Sequence, residues 1–512
     1  MRNHRYGVFA SAFSLAAIAA LSGCHGARES PGIVTMLIES SPTSLDPRIG
    51  TDAQSEHIDS LIFDALVRRD EHFNVQPFLA QSWETPDPLT YVFHLHDGVR
   101  FHDGRPLTSK DVQWTIQSIL NGGVATVKSQ AYRNVDHIDA PDPLTVVFHL
   151  RKPDPGLLPS LSDAAIGIVP AGSGRDFGRH PIGSGPFRFV SQEQDKEVVI
   201  ERNPNSWASP PAIERVRFAV VPDSITRALE LQKGSADVAV NALTADQVYA
   251  LRDDARLVIE TGPGTILNYI SFNARDPILK DARVRQAIAY AINRPLIIHA
   301  LWRDHARLAE NLLPKEHWAW TGTVRRHDYD PALANALLDA AGLKRGSDGV
   351  RFHLTIKTST DETSRTLAVV LQQQLRDVGI ALDVRSFEFA TFYADIAKGA
   401  FQMYTLRWIG GNEDPDLFRY AYATASIPPH GANRGFYSNP ALDALVAQAA
   451  AAPAQADRAA IYGQIQRTLA EDLPSINLWY LDTVIVRNRR LGNVRLSSSG
   501  NFDFLRGATL QP

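Results

Sequence analysis

Residues 401–418 read FQMYTLRWIGGNEDPDLF, an apolar and aromatic-rich run that stops at two glycines and a cluster of amide and carboxylate side chains. Such a run predicts a buried strand. Gly410 and Gly411 remove Cβ atoms where the chain leaves that strand, so backbone can come close to another group there. Asn412, Glu413, Asp414 and Asp416 then supply polar atoms. Two readings fit: the lip of a ligand cleft, or a strand-end turn with solvated acids. The flanking sequence has to separate them.

Upstream, residues 281–291 (DARVRQAIAYA) predict a helix with Val284, Ile288, Ala291 and Ile292 on one face and Asp281 at its positive end. Residues 331–341 predict a second helix, capped by Asp328 or Asp330 and closed by Gly342. Strand 352–357, helix 362–378, strand 380–387 and helix 391–398 lead into the opening stretch. Helices over 441–451 and 455–471 follow it, separated by Pro453, and a strand over 476–486 ends the series. Helix and strand alternate here as in an α/β lobe.

The N-terminal part repeats the theme. Strand 32–39 empties into the hydroxyl-rich turn 40–47, where Ser41 and Ser44 either present oxygens to a ligand or cap a helix over 55–67. Strand 213–221, helix 224–232 and strand 236–240 predict a first α/β lobe. Between them the pattern turns β-rich: LTYVFHLH at 89–96 alternates like half of a hairpin, and LTVVFHL at 144–150 echoes it. Thr108 or Ser109 is placed to cap an amphipathic helix through Val112, Ile116 and Ile119. His94 and His96 share a strand face, but His102 lies beyond a turn without a cysteine or carboxylate at ligand spacing. Edge histidines are the expectation there, not a metal site.

Residues 181–187 (PIGSGPF) place glycines directly beside Ser184, where backbone amides face either a ligand or another segment of chain. A hydrolase elbow needs Gly-x-Ser-x-Gly ahead of a helix, which this is not. Ser-x-x-Lys, His-Glu-x-x-His and phosphate-loop patterns are also missing from the sequence.

The length of 512 residues suggests roughly three domains. With 52 basic and 56 acidic side chains, the chain lacks the basic excess that nucleic-acid binding requires. Arg2, His4 and Arg5 precede an uncharged, alanine-rich run over 6–23, the pattern of a secretory signal. Cys24 is the only cysteine, so an intramolecular disulfide is impossible. The LSGC sequence at 21–24 resembles a bacterial lipobox, which implies cleavage before Cys24 and lipidation of that residue. Loss of Arg2 and Arg5 leaves 50 basic against 56 acidic residues, a mature charge of −6.

Taken together, nine segments resemble the extracytoplasmic solute-binding proteins of the peptide and nickel class of ABC importers, family 5. They are SLDP at 44–47, LAQSWE at 79–84, TYVFHLHDGVRFHDGRPLTSKDV at 90–112, GSGPF at 183–187 and ERNPNSW at 201–207. The others are DARVRQAIAYAINR at 281–294, YDPALANALLDAAG at 329–342, WIGGNEDPD at 408–416 and YSNPALDALV at 437–446. Their joint order and spacing carry the resemblance nearly end to end.

The resemblance implies an α/β, type II periplasmic-binding-protein-like fold: two α/β lobes joined by a hinge, plus a small β-rich domain. The expected divisions are a signal peptide over 1–23 and a tether over 24–31. Lobe I would comprise 32–60, 182–270 and 477–512, domain II 61–181, and lobe III 271–476. Trp408 matches an aromatic that lines the family's cleft. Three positions later, peptide binders place an aspartate for the ligand's ammonium; here that position is Gly411, with Glu413, Asp414 or Glu39 as substitutes. Arg407 is a candidate for a ligand carboxylate, although strand neighbours alternate faces. The expected ligand-facing set is Glu39, Ser41, Ser44, Arg407, Trp408, Gly411, Asn412, Glu413, Asp414 and Asn433.

The implied function is a lipid-anchored, monomeric, extracytoplasmic carrier, in the periplasm or at the cell surface. It captures a dipeptide-like or oligopeptide-like solute and delivers it to an ABC permease, with no catalysis, cofactor, metal or nucleic acid. A metal chelate, haem, oligosaccharide or opine is the alternative cargo. An anchored hydrolase and a scaffold with a vestigial cleft are the competing classes, separated by turnover and by ligand-dependent melting.

Overall fold

The computed structural model describes residues 32–162, 166–410, 413–452 and 454–511. Cys24, the leader and the tether, together with Gly411 and Asn412, lie outside them.

A seven-stranded sheet forms lobe I, in the order Leu257–Gly262, Thr483–Asn488, Val238–Val240, Ile33–Ile38, Arg215–Val220, Glu197–Arg202 and Phe187–Glu193. Its central strand, Ile33–Ile38, runs parallel to Arg215–Val220 and to Val238–Val240. Five of that strand's six residues are buried, which is why it reads as a continuous apolar run without alternation. The core on one face includes Val34, Met36, Ile38, Phe187 and Phe218.

Lobe III is built on a six-stranded sheet ordered Ala306–Leu308, Ser475–Leu481, Leu267–Phe272, Met403–Trp408, Phe352–Ser359 and Ile380–Phe387. The last three strands run parallel to one another, linked by the helices Glu362–Asp377 and Phe389–Lys398. Asp281 and Asp330 cap their helices as the sequence predicts, accepting from the amides of Arg283 and Leu333.

Domain II carries a four-stranded antiparallel sheet, ordered Ala80–Asp87, Thr90–Leu95, Thr145–Leu150 and Val135–Asp142. The two echoing segments pair directly, both with every second residue buried. Val112, Ile116 and Ile119 of helix Ser109–Leu120 close this core.

Three local expectations change. The helix expected over 55–67 is Ala53–Ile62, and Asp52 caps it rather than a hydroxyl of the preceding turn. The strand expected over 476–486 is two strands, Ser475–Leu481 and Thr483–Asn488, which belong to different sheets. Asp482 is the single residue between them. The boundary expected between 270 and 271 falls inside strand Leu267–Phe272, so the other crossing is residues 263–266.

The glycines beside Ser184 serve packing. A Cβ on Gly183 would lie 1.9 Å from the carbonyl oxygen of Ile62, so only glycine lets these segments meet. The Ser184 hydroxyl donates to Asp64, which also accepts from the Trp207 indole at 2.8 Å. Among the described residues, no helix is long and apolar enough to cross a membrane.

Candidate ligand cleft

Strand directions locate the cleft. Leu257–Gly262 and Val238–Val240 both run antiparallel to Thr483–Asn488, so Leu257–Gly262 leaves lobe I at the edge where its parallel strands end. Beyond the crossing, Leu267 pairs with Trp408, the last residue of its parallel strand in lobe III. The carboxyl edges of both sheets therefore meet at the two crossings. In open α/β sheets, ligands bind outside the carboxyl ends of the strands.

The crossings are held tightly together. A Cβ on Gly264 would stand 2.2 Å from the Leu481 carbonyl oxygen and 3.0 Å from the Thr483 nitrogen. Arg307 ties both crossings, donating to the Gly264 carbonyl at 2.9 Å and to the Asp482 carboxylate at 3.0 Å. Burial raises the pKa of Asp482, and Arg307 opposes that shift.

On the lobe III edge, Trp408 is half-buried and stacks on Tyr269, with centroids 5.7 Å apart and an interplanar angle of 15°. The Arg434 guanidinium lies 5.5 Å from the Trp408 ring and 5.0 Å from the Tyr393 ring. It donates to the Tyr393 hydroxyl at 2.6 Å. Tyr269, Tyr404, Trp408, Tyr422, Asn433 and Arg434 line a recess of about 300 Å³, counted with the solvent it opens to. A larger recess of about 690 Å³ involves Arg294 and His327. There the Arg294 guanidinium is engaged by the carbonyls of Ala309, Asn477 and His327, and Arg325 and Arg326, which also line it, pair with Glu471 at 2.8 Å and Asp328 at 3.1 Å.

The remaining sequence candidates take definite places. Arg407 points to the opposite sheet face from Trp408 and pairs with Asp361 at 3.9 Å. Glu39 is exposed at the end of the central lobe I strand, 3.5 Å from Arg227. Ser41 accepts from the Asp195 amide and Ser44 from the Asp46 amide. Glu413 is 6% exposed and engaged by Arg69 of domain II at 2.8 Å. Burial and Asp416 push the Asp414 carboxyl up to about 6. The Asn433 amide donates to the carbonyls of Tyr422, Ala423 and Tyr437, which fixes the turn carrying Arg434.

Sequence reasoning passed over Arg434, because it sits in an irregular segment with no periodicity. Its one signal is a charged residue set between aromatic segments. His94, His96 and His102 do not gather as a group. Among the described residues, the three potential metal ligands that lie close together are His137, Asp139 and His149, at the surface of domain II.

The family profile described as "Bacterial extracellular solute-binding proteins, family 5 Middle" matches residues 74–428, more than half of the chain. The chain belongs to this family. Among its relatives, the glutathione-binding protein GsiB of Pectobacterium atrosepticum is 30% identical over 91% of this chain and 92% of its own length. The dipeptide-binding protein of Escherichia coli is 26% identical over 86% and 87%. The substrate-binding protein CtaP of Listeria monocytogenes superposes with a TM-score of 0.84 at 25% identity, covering 94% of this chain and all of that one. DppA of Helicobacter pylori, solved with the peptide STSA, gives 0.77 at 25% identity, covering 94% and 98%. The type II α/β fold implied by the family 5 motifs is the fold of this chain. Family 5 proteins are extracytoplasmic binding proteins of ABC transporters, and these relatives are named for binding, not for catalysis.

Proposed function

We propose that this protein captures a small peptide-like solute between its two lobes and delivers it to a membrane permease, held at the membrane by lipid on Cys24. The observation that supports this most is the meeting of the two carboxyl strand edges at a two-stranded crossing, with Glu39 on one edge and Trp408 on the other. A solute touching both edges stabilises the closed arrangement selectively, so closure reports occupancy to the permease. The names of the relatives, for glutathione, dipeptides and di/tripeptides, support the cargo class.

In this reading Glu39, Trp408, Gly411, Asn412 and Asp414 face the solute, while Arg407, on the other sheet face beside Asp361, reaches it only by leaving that carboxylate. Ser41, Ser44, Glu413 and Asn433 shape the walls. The protein acts as a monomer with one solute per chain and needs no cofactor. Isothermal titration with glutathione, dipeptides and tripeptides tests the cargo. One-to-one binding accompanied by a rise in Tm is expected. Turnover of the peptide, or an unchanged Tm across a broad panel of such solutes, would overturn the proposal.

A further inference from the structure

The recess behind Trp408 contains a cation whose neighbours are aromatic rings and tyrosine hydroxyls, with no carboxylate among them. Arg434 is 9% exposed, and its guanidinium carries five N–H donors. Among the described residues, no carboxylate lies within ion-pair distance of it. It donates to the neutral Tyr393 hydroxyl at 2.6 Å and lies against the Tyr404 hydroxyl as well. Other buried guanidiniums of this chain are handled differently. Arg48 is paired with Asp46 at 2.7 Å, Arg227 has Glu39 and three carbonyls, and Arg285 and Arg294 are surrounded by carbonyl oxygens.

A second observation points into the same recess. The Tyr269 residue is 4% exposed, and its hydroxyl has only the neighbouring Tyr404 side chain beside it, outside normal hydrogen-bond geometry. A buried donor left unsatisfied costs roughly 1–3 kcal/mol. A buried cation costs more unless an anion joins it. Both deficits end if an oxyanion enters. The aromatic walls, Tyr404, Trp408 and Tyr422, exclude water and strengthen the attraction between such an anion and Arg434.

We propose that Arg434 and the Tyr269 hydroxyl, roofed by the Trp408 indole, form an anion subsite that takes a carboxylate of the captured solute. This rests on the reading of the cleft as a solute site and narrows its cargo to acids. It fits the replacement of the ammonium-pairing acid by Gly411: selection passes from the solute's positive end to its negative end. A guanidinium suits the task because its planar fork grips a carboxylate through two parallel bonds.

The test uses the mature chain and three variants, Arg434→Met, Arg434→Lys and Tyr269→Phe. The probes are glutathione and trialanine as free acids, trialanine amide and glutathione diethyl ester, and sodium acetate against sodium chloride at equal ionic strength. Binding is followed by indole fluorescence and Tm. Wild type is expected to bind at least one free acid tenfold or more tighter than its capped form and to gain Tm from acetate over chloride. Arg434→Met is expected to lose both effects while its ligand-free Tm stays equal or rises, since an unpaired buried charge has gone. Arg434→Lys and Tyr269→Phe should be intermediate.

Equal binding of acid and capped forms would overturn the subsite while leaving peptide capture intact. An acetate effect lost in Arg434→Met, with no peptide bound, would leave the subsite standing and remove the peptide-like reading. A fall in ligand-free Tm with unchanged acid preference would make Arg434 a structural prop and overturn the proposal.

Discussion

Arg69 of domain II and Glu413 of lobe III meet with Nη2 and Oε2 2.8 Å apart, their side chains only 14% and 5% exposed. Thr265, in the crossing itself, adds a hydroxyl contact to the other carboxylate oxygen at 3.3 Å. Beside them, Phe73 stacks on His317 and the His72 carbonyl accepts from the Trp318 amide. The inserted domain is thus fastened to lobe III next to the hinge.

Breaking that pair from one side strands a buried charge. Arg69→Ala is expected to cost about 3–5 kcal/mol in unfolding free energy, whereas the double replacement Arg69→Met with Glu413→Leu costs much less. Urea unfolding of the four species in a double-mutant cycle measures this. Additive single costs would show that the pair is not coupled.

The crossing at Gly264 has no room for a side chain, since a Cβ there meets the Leu481 carbonyl oxygen at 2.2 Å. Gly264→Ala should cost about 1–3 kcal/mol and weaken solute binding together with stability, because overpacking forces the two crossings apart. A variant with wild-type Tm and wild-type affinity would show that the crossings tolerate separation.

Burial raises the Glu56 carboxyl from 4.5 to about 7, with Asp52 and Glu413 adding to the shift and Lys128 and Arg69 opposing it. A carboxyl whose folded pKa is raised contributes its full stability below the unfolded value. That contribution is lost as pH rises through the folded value. Glu56→Gln should therefore melt close to wild type near pH 5 and be more stable by about 1–3 kcal/mol near pH 8. Thermal unfolding at the two pH values checks it, and a difference that does not change with pH would be the contrary result.

The family resemblance implies a carboxylate at position 411 for the solute's ammonium group, and Gly411→Asp would supply it. It should raise affinity for trialanine relative to N-acetyl-trialanine by tenfold or more, which titration of both peptides into both proteins will read. No change in that ratio would mean that position 411 does not address the solute's amino end.

Much of this architecture was legible in the sequence because its signals are local. Asp281 and Asp330 announce their helices, the alternation at 90–95 and 145–150 announces the domain II sheet, and 403–408 reads as the strand it is. What escaped depends on partners far apart in the chain. The break at Asp482 hides in an apolar run because two strands of different sheets follow each other with one residue between them. The capture of Glu413 by Arg69, 344 positions away, leaves no local pattern. Arg434 looks like a surface residue of a loop until Tyr269, Tyr393 and Trp408 close around it.

The central claim is that the two lobes hinge at residues 263–266 and 482 and shut on a solute. Small-angle X-ray scattering of the mature chain, titrated with a peptide that raises its Tm, tests this most directly. The account predicts a radius of gyration that falls with occupancy and saturates at one solute per chain. Saturable, stoichiometric binding with an unchanged radius of gyration would contradict it.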